Sequence, residues 1–159
     1  MAELYTKAGF IADTAPEAVA LADFLASPGN VSAVVLEPDS RLEALEPYLG
    51  QLAMIAIKFP KYADGRGYSL AARLRLHYKF EGKIRATGDV LTDQIQNFFR
   101  QGFDEMVVTQ GPTLARLKAS SAPHHTLFMQ AAIQGEENSP LNGNAYSWRR
   151  SMRAHSNKD

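Results

Sequence analysis

The sequence contains no cysteine. This absence excludes thiolate nucleophiles, thiol–disulfide exchange, cysteine-ligated iron–sulfur clusters and cysteine zinc sites from the chemistry of this chain. An excess of charge of either sign is also lacking, because 17 lysine and arginine residues balance 17 aspartate and glutamate residues. We therefore expect neither nucleic acid nor a membrane as a partner, and any anion site has to be built locally.

Long apolar runs and nucleotide fingerprints are missing as well. No run approaches the roughly 20 apolar residues that a membrane-spanning helix needs. The first ten residues lack the basic region and apolar core of a secretory signal. We therefore expect a cytoplasmic protein. Neither GxGxxG nor GxxxxGK[ST] occurs, and we expect no cofactor on the chain itself.

The composition is that of an ordinary globular protein, with 45% hydrophobic and 21% charged residues in a chain of 159. We expect a single α/β domain over residues 1–134 and a polar tail over residues 135–159. His124 and His125 are adjacent, so both cannot face one ion on an extended backbone. Because a zinc site needs three or four convergent ligands, no metal site is predicted.

Strand-like and helix-like segments alternate along the chain. Apolar, β-branched runs at residues 31–36, 52–59, 83–86 and 105–109 are each followed by a polar turn and a segment of helical spacing. Upstream, residues 9–12 indicate an edge strand and residues 15–25 a helix, with Asp13 or Thr14 as its cap. The alternation predicts an α/β fold of repeated β–α units with a parallel sheet.

Two architectures satisfy this pattern. One is an open, doubly wound sheet with helices on both faces. The other is a partial TIM-type (β/α) barrel, because the chain is too short to close a barrel of about 250 residues. A partial barrel leaves sheet edges that need covering, and this favours a homodimer.

Polar and glycine residues concentrate in two loops that follow predicted strands, at residues 58–69 and 85–94. Ligands meet parallel sheets at the carboxyl ends of the strands, and consecutive parallel strands are usually neighbours. We therefore expect the two loops to adjoin, with Lys58, Arg66 and Arg85 placed to converge on a phosphate, sulfate or carboxylate. The candidate ligand-binding residues are Lys58, Lys61, Asp64, Arg66, Tyr68, Ser69, Arg85, Asp89, Asp93 and Gln94.

The acidic residues of these loops leave a second interpretation open. Asp64, Asp89 and Asp93 could form a structural salt-bridge network with the arginines, and Asp-Gly-Arg-Gly is a turn by its own chemistry. If the protein is an enzyme, Lys58 and Asp89 are the candidate acid or base. A scaffold network and a ligand site both fit the pattern.

Three motifs, FPKYADGRGYSLAARLR, IRATGDVLTDQI and FFRQGFDEMVV, resemble those of a bacterial family of unknown molecular function. Members of that family are often encoded beside assimilatory sulfite reductase and are commonly labelled probable oxidoreductases involved in sulfite reduction. The resemblance covers residues 31–109. The matching positions are Phe59, Pro60, Lys61, Asp64, Gly65, Arg66, Gly67, Tyr68, Ser69, Arg85, Gly88, Asp89, Asp93 and Gln94.

The resemblance implies a role in sulfur assimilation. An oxidoreductase needs a redox carrier, for which this chain has neither cysteine nor a dinucleotide fingerprint. The first hypothesis is therefore an accessory protein that binds a partner, such as the sulfite reductase subunits, or a small anion at these loops. The alternatives are a small barrel-type enzyme acting on a phosphorylated or sulfonated substrate, and an oxidoreductase whose cofactor is held by a partner.

Overall fold

A computed structural model describes residues 2–119 of the chain. The predicted polar tail at residues 135–159 and the paired His124 and His125 lie outside the described residues. The described part contains one seven-stranded sheet. Its strands are β1 (Glu3–Thr6), β2 (Gly9–Ile11), β3 (Val19–Ala20), β4 (Ala33–Leu36), β5 (Met54–Phe59), β6 (Lys83–Gly88) and β7 (Glu105–Val108).

Helices connect the strands in chain order. The α-helices are α1 (Leu21–Ala26), α2 (Arg66–Leu76), α3 (Ile95–Arg100) and α4 (Gly111–Ala119), and 3₁₀ turns lie at Leu42–Ala44, Glu46–Gln51 and Thr92–Gln94. None of the helices within residues 2–119 combines the length and the apolar content needed to cross a membrane.

The sheet has the strand order β2-β1-β7-β6-β5-β4-β3. Strands β3 to β7 are parallel and pair in sequence order, whereas β1 pairs antiparallel with β7 and β2 antiparallel with β1. The predicted β–α units with a parallel sheet are therefore confirmed, and the sheet is open. The consecutive strand order is that of a barrel arc, but no barrel closes.

The helices of the described chain pack on one face of the sheet. Buried residues of all four helices, such as Phe24, Leu74, Phe98 and Leu117, belong to one hydrophobic core with alternate residues of the strands. Right-handed crossovers between strands laid down in order return to the same side each time. Within residues 2–119, helices on the second face of the open sheet, the arrangement of a doubly wound fold, are not observed.

The opposite face, called here the second face, is crossed by residues 12–18, which we name the strap. The strap joins β2 at one edge of the sheet to β3 at the other edge. In β6, Ile84 and Ala86 belong to the helix-side core, so Arg85 between them projects from the second face. Asp13 of the strap binds Arg85 there. The predicted helix over residues 15–25 is correspondingly shorter and begins only at Leu21.

Arg75 of α2 ties the amino-terminal side of β6 to the loop before β7. Its guanidinium donates to the carbonyl oxygens of Phe80, Gly82 and Gly102 and to the carboxylate of Asp104. Buried carbonyl groups need such partners. One side chain therefore closes several loops on the side of the sheet opposite the polar strand-end loops.

Candidate functional site at the strand-end rim

The two polar loops predicted to adjoin do meet, at the carboxyl ends of β5 and β6. We call these loops, residues 59–66 and 88–94, the strand-end rim. Asp89 accepts a 2.9 Å hydrogen bond at Oδ2 from the backbone N–H of Tyr62, and its own N–H donates to the carbonyl of Phe59 at 2.8 Å. The Gln94 amide donates to the carbonyl of Tyr62 at 2.7 Å. The rim is therefore one connected structure.

Two glycines of the resembling motifs permit this close approach. Gly88 has a positive φ of 94°, and a Cβ added to it would lie 2.3 Å from the carbonyl oxygen of Phe59. A Cβ on Gly67 would lie 2.5 Å from the Phe59 ring. Only glycine fits Gly88, since its backbone conformation disfavours other residues and no space exists for a side chain. Both glycines serve loop packing around Phe59.

Lys58, the last residue before the rim, and Arg66 at the end of its first loop each engage a carboxylate of the same protein. Lys58 Nζ lies 2.8 Å from Oε1 of Glu37, the residue after β4. Arg66 donates to both oxygens of Asp64, through Nε at 3.0 Å and Nη2 at 2.7 Å. This side-chain hydrogen bond holds the pKa of the Asp64 carboxyl below its ordinary value. Both pairs are exposed on at least one side, where ion pairs contribute little stability.

Arg85 lies elsewhere. Its side chain projects from the second face and binds Asp13 and Glu105, so it takes no part in the rim. The predicted convergence of Lys58, Arg66 and Arg85 on one anion is therefore not observed. The physical reason is the two-residue period of a strand, which directs Arg85 to the face opposite the helices. Its carboxylate partner Asp13 is 72 residues away in sequence.

The remaining candidates fall into two groups. Tyr68 is part of the aromatic packing on the helix side, where its ring contacts Phe59 and Phe98. Burial raises the pKa of its phenol to about 12, and a charge at Asp93 adds to this. Lys61, Ser69 and Asp93 are exposed at or beside the rim, and Gln94 is half-buried.

Tyr62 is the residue of the rim that the sequence prediction passed over. Tyr62 is 56% exposed. Its backbone N–H donates to Asp89 and its carbonyl accepts from Gln94. In the sequence it is one residue among several in a variable-looking loop. Its only distinguishing signal is that it is a large aromatic residue between a strand end and a glycine turn.

The chemistry open to this arrangement follows from how Asp89 is used. One carboxylate oxygen accepts from the Tyr62 N–H, and the other accepts from the side-chain amide of Gln110. Asp89 thus links the loops that follow β5, β6 and β7 through hydrogen bonds. Within residues 2–119, no group of three or more histidine and acidic side chains is arranged to hold a metal ion. The rim therefore presents an exposed aromatic ring, that of Tyr62, on a loop whose backbone is hydrogen-bonded to its neighbours.

The fold and the rim define a small α/β protein with an open, mostly parallel sheet and a polar, internally bonded strand-end edge. A family model described as "Bacterial protein of unknown function (DUF934)" matches residues 33–140, and the chain belongs to this family. Family membership predicted from the motifs is confirmed, and the matched range includes the whole rim. Comparisons with curated proteins and with solved structures found no match.

Proposed function

We propose that this protein is a cytoplasmic accessory protein of assimilatory sulfite reduction that docks onto a partner, a sulfite reductase subunit, through the strand-end rim around Tyr62. The pathway rests on the resemblance of the rim motifs described above. The docking role rests on one observation, an exposed aromatic ring carried on a backbone that is already fixed.

An exposed tyrosine on a rigid loop has the properties of a binding anchor. A tyrosine side chain can bury about 150–250 Å² and retains a polar end, and tyrosine is enriched among the residues that dominate binding energies. Binding normally requires loops to be ordered, which opposes association. The Tyr62 backbone already donates a hydrogen bond to Asp89 and accepts one from Gln94, so it is ordered before a partner binds.

Charged side chains surround Tyr62, as they do the central contacts of many protein–protein interfaces. Lys61 and Arg66 are exposed on the same loop, and Asp93 is exposed near the start of α3. Protein interfaces commonly place polar and charged residues around a central aromatic contact. Mixed charge of this kind favours a protein partner with complementary side chains over a simple anion.

The enzyme alternatives draw less support from the geometry. A barrel-type enzyme would use the mouth of a barrel, and the sheet of the described residues is open. Lys58 is ion-paired with Glu37 on the strand ends, and Asp89 uses both oxygens to join loops. An oxidoreductase with a partner-held cofactor would need the same docking surface, so the docking experiment precedes any search for activity.

The test is biolayer interferometry of the full chain against purified sulfite reductase subunits. We expect Tyr62→Ala to weaken binding about 30-fold, the loss that corresponds to about 2 kcal/mol at an interface anchor. Leu76→Ala is the matched control, because Leu76 is also an exposed apolar residue, at 46%, but lies at the far end of α2. Absence of binding by the wild type, or equal affinity of both variants, would contradict the proposal.

A further inference from the structure

On the second face of the sheet, two cationic side chains, Lys83 and Arg85, contact a single buried carboxylate, that of Glu105. Arg85 donates to Oε1 of Glu105 through Nε at 2.8 Å, and Lys83 Nζ lies 3.2 Å from Oε2 of the same carboxylate. The side chains of Arg85 and Glu105 are only 8% and 1% exposed. Two positive groups therefore share one buried negative group, and the cluster without the strap has one positive charge in excess.

The strap supplies the missing negative charge. Asp13 accepts from both terminal nitrogens of Arg85, each at 2.8 Å, with one carboxylate oxygen for each nitrogen. This is the two-pronged geometry with which arginine recognises carboxylates and other oxyanions. The hydrogen bond from Arg85 also holds the pKa of Asp13 below its ordinary value. Asp13 thus stands where a bound oxyanion would stand.

In this ion pair the Asp13 side chain is exposed to solvent, whereas the Arg85 side chain is buried. The Asp13 side chain is 51% exposed, and the strap from Ala12 to Glu17 is mostly exposed and has no regular structure. Because the helices within residues 2–119 lie on the other face, none of them overlies this contact. None of residues 12–18 belongs to the helix-side core, so displacing the strap from Arg85 would leave that core in place.

We propose that the outward fork of Arg85 on the second face is a binding site for a small oxyanion, and that Asp13 of the strap occupies this site in the free protein. Glu105 orients the guanidinium by accepting a hydrogen bond from its Nε, and Lys83 adds positive charge beside the site. The ligand class is an anion with two accessible oxygens, the chemistry shared by carboxylates and sulfate. This inference is independent of the docking proposed at Tyr62, which lies on the strand-end rim.

Competition with the strap determines what can be measured. A carboxylate tethered by a short chain acts at an effective concentration on the order of millimolar. An external anion must displace it, so the wild type binds weakly. Replacing Asp13 removes the competitor, and we expect Asp13→Ala to bind sulfate or acetate at least about tenfold more tightly than the wild type.

The experiment is thermal unfolding of the full chain in sodium sulfate or sodium acetate, with sodium chloride balancing the ionic strength. At ten times its Kd a ligand raises Tm by about 3–6 °C in a protein of this size. We expect sulfate or acetate to raise the Tm of Asp13→Ala by this amount more than it raises the Tm of the wild type. Glu17→Gln is the matched control, because Glu17 is an exposed acid of the same strap. A general salt effect raises all three proteins equally and would overturn the proposal.

The position of the bound anion is tested separately. Adding Arg85→Lys to Asp13→Ala keeps the positive charge but removes the fork, and should abolish the extra rise in Tm. Because Arg85 is buried, this double variant could unfold. The Nε–H resonance of Arg85 in Asp13→Ala then provides the readout and should shift on titration with sulfate or acetate. An anion response that persists in the double variant, or leaves this resonance unmoved, contradicts the site.

Discussion

The backbone N–H of Tyr62 donates a 2.9 Å hydrogen bond to Oδ2 of Asp89, 27 residues further along the chain. This bond joins the loop after β5 to the loop after β6. The other oxygen of Asp89 binds the side chain of Gln110, in the loop after β7. The carboxylate therefore connects the loops that follow three consecutive parallel strands, and the form of the rim depends on it.

The first prediction concerns this carboxylate. Asp89→Ala removes hydrogen bonds to a charged acceptor, each of which contributes about 1.5–3 kcal/mol. With two such bonds, from Tyr62 and Gln110, we expect a loss of about 3 kcal/mol or more in the free energy of unfolding, measured by urea denaturation. Asp93→Ala is the control, since this exposed acid near the start of α3 should contribute less than about 1 kcal/mol through the helix dipole. Equal stability of the two variants would show that Asp89 does not hold the rim.

The second prediction concerns Gly88. Alanine there would be forced into a positive φ with its Cβ against the carbonyl of Phe59. Such strain costs on the order of 1–3 kcal/mol, so Gly88→Ala should lower the urea midpoint clearly. Gly65→Ala should change it little, because a Cβ at Gly65 meets no atom within 4 Å and its φ is −78°. If both variants are as stable as the wild type, the close contact between Gly88 and the Phe59 carbonyl is contradicted.

The third prediction compares two arginines of α2. Arg75→Ala would leave the carbonyls of Phe80, Gly82 and Gly102 without this donor, and we expect it to cost about 3 kcal/mol of stability. Arg73→Ala removes an exposed ion pair with Glu43 and an interaction with Tyr78, and should cost less than about 1 kcal/mol. Chemical denaturation of the two variants measures the difference directly. A larger loss for Arg73→Ala would contradict the assigned contacts.

The fourth prediction is a pH dependence at Asp13. The hydrogen bond from Arg85 lowers the pKa of Asp13 below its ordinary 3.8, so this carboxylate stabilises the folded protein wherever it is ionised. Its contribution is complete above the unfolded pKa and is lost as pH falls through the lower folded value. The stability difference between wild type and Asp13→Asn should be constant from pH 7 to about 5 and shrink below about pH 4. A difference that grows on acidification would contradict this pairing.

Much of the sheet could be predicted from the sequence because the parallel strands are locally distinctive. The apolar runs at residues 31–36, 52–59, 83–86 and 105–109 contain β4 to β7 apart from a residue or two at their ends. Strand β1, Glu3–Thr6, was not predicted, because four residues without clear alternation carry little signal. Its place beside β7 is fixed by pairing across about 100 residues, which no local pattern reveals.

The candidate site was predicted in part for a similar reason. The meeting of the Tyr62 and Asp89 loops follows from strand order, which consecutive parallel strands make predictable. The partners of Arg85 do not follow from it, because the face on which a strand residue lies depends on register. Asp13 was interpreted as a helix cap, whereas in the structure its carboxylate binds a strand residue 72 positions later. Long-range ion pairs of this kind are visible only in the folded chain.

The most direct test of docking through the rim is amide hydrogen exchange of the full chain, alone and with a sulfite reductase subunit. We predict that the partner slows exchange at residues 59–66 and 88–94, with the strongest effect around Tyr62, and leaves the far end of α2 near Leu76 unchanged. Protection that falls on other surfaces and spares residues 59–66 would contradict the proposed docking surface.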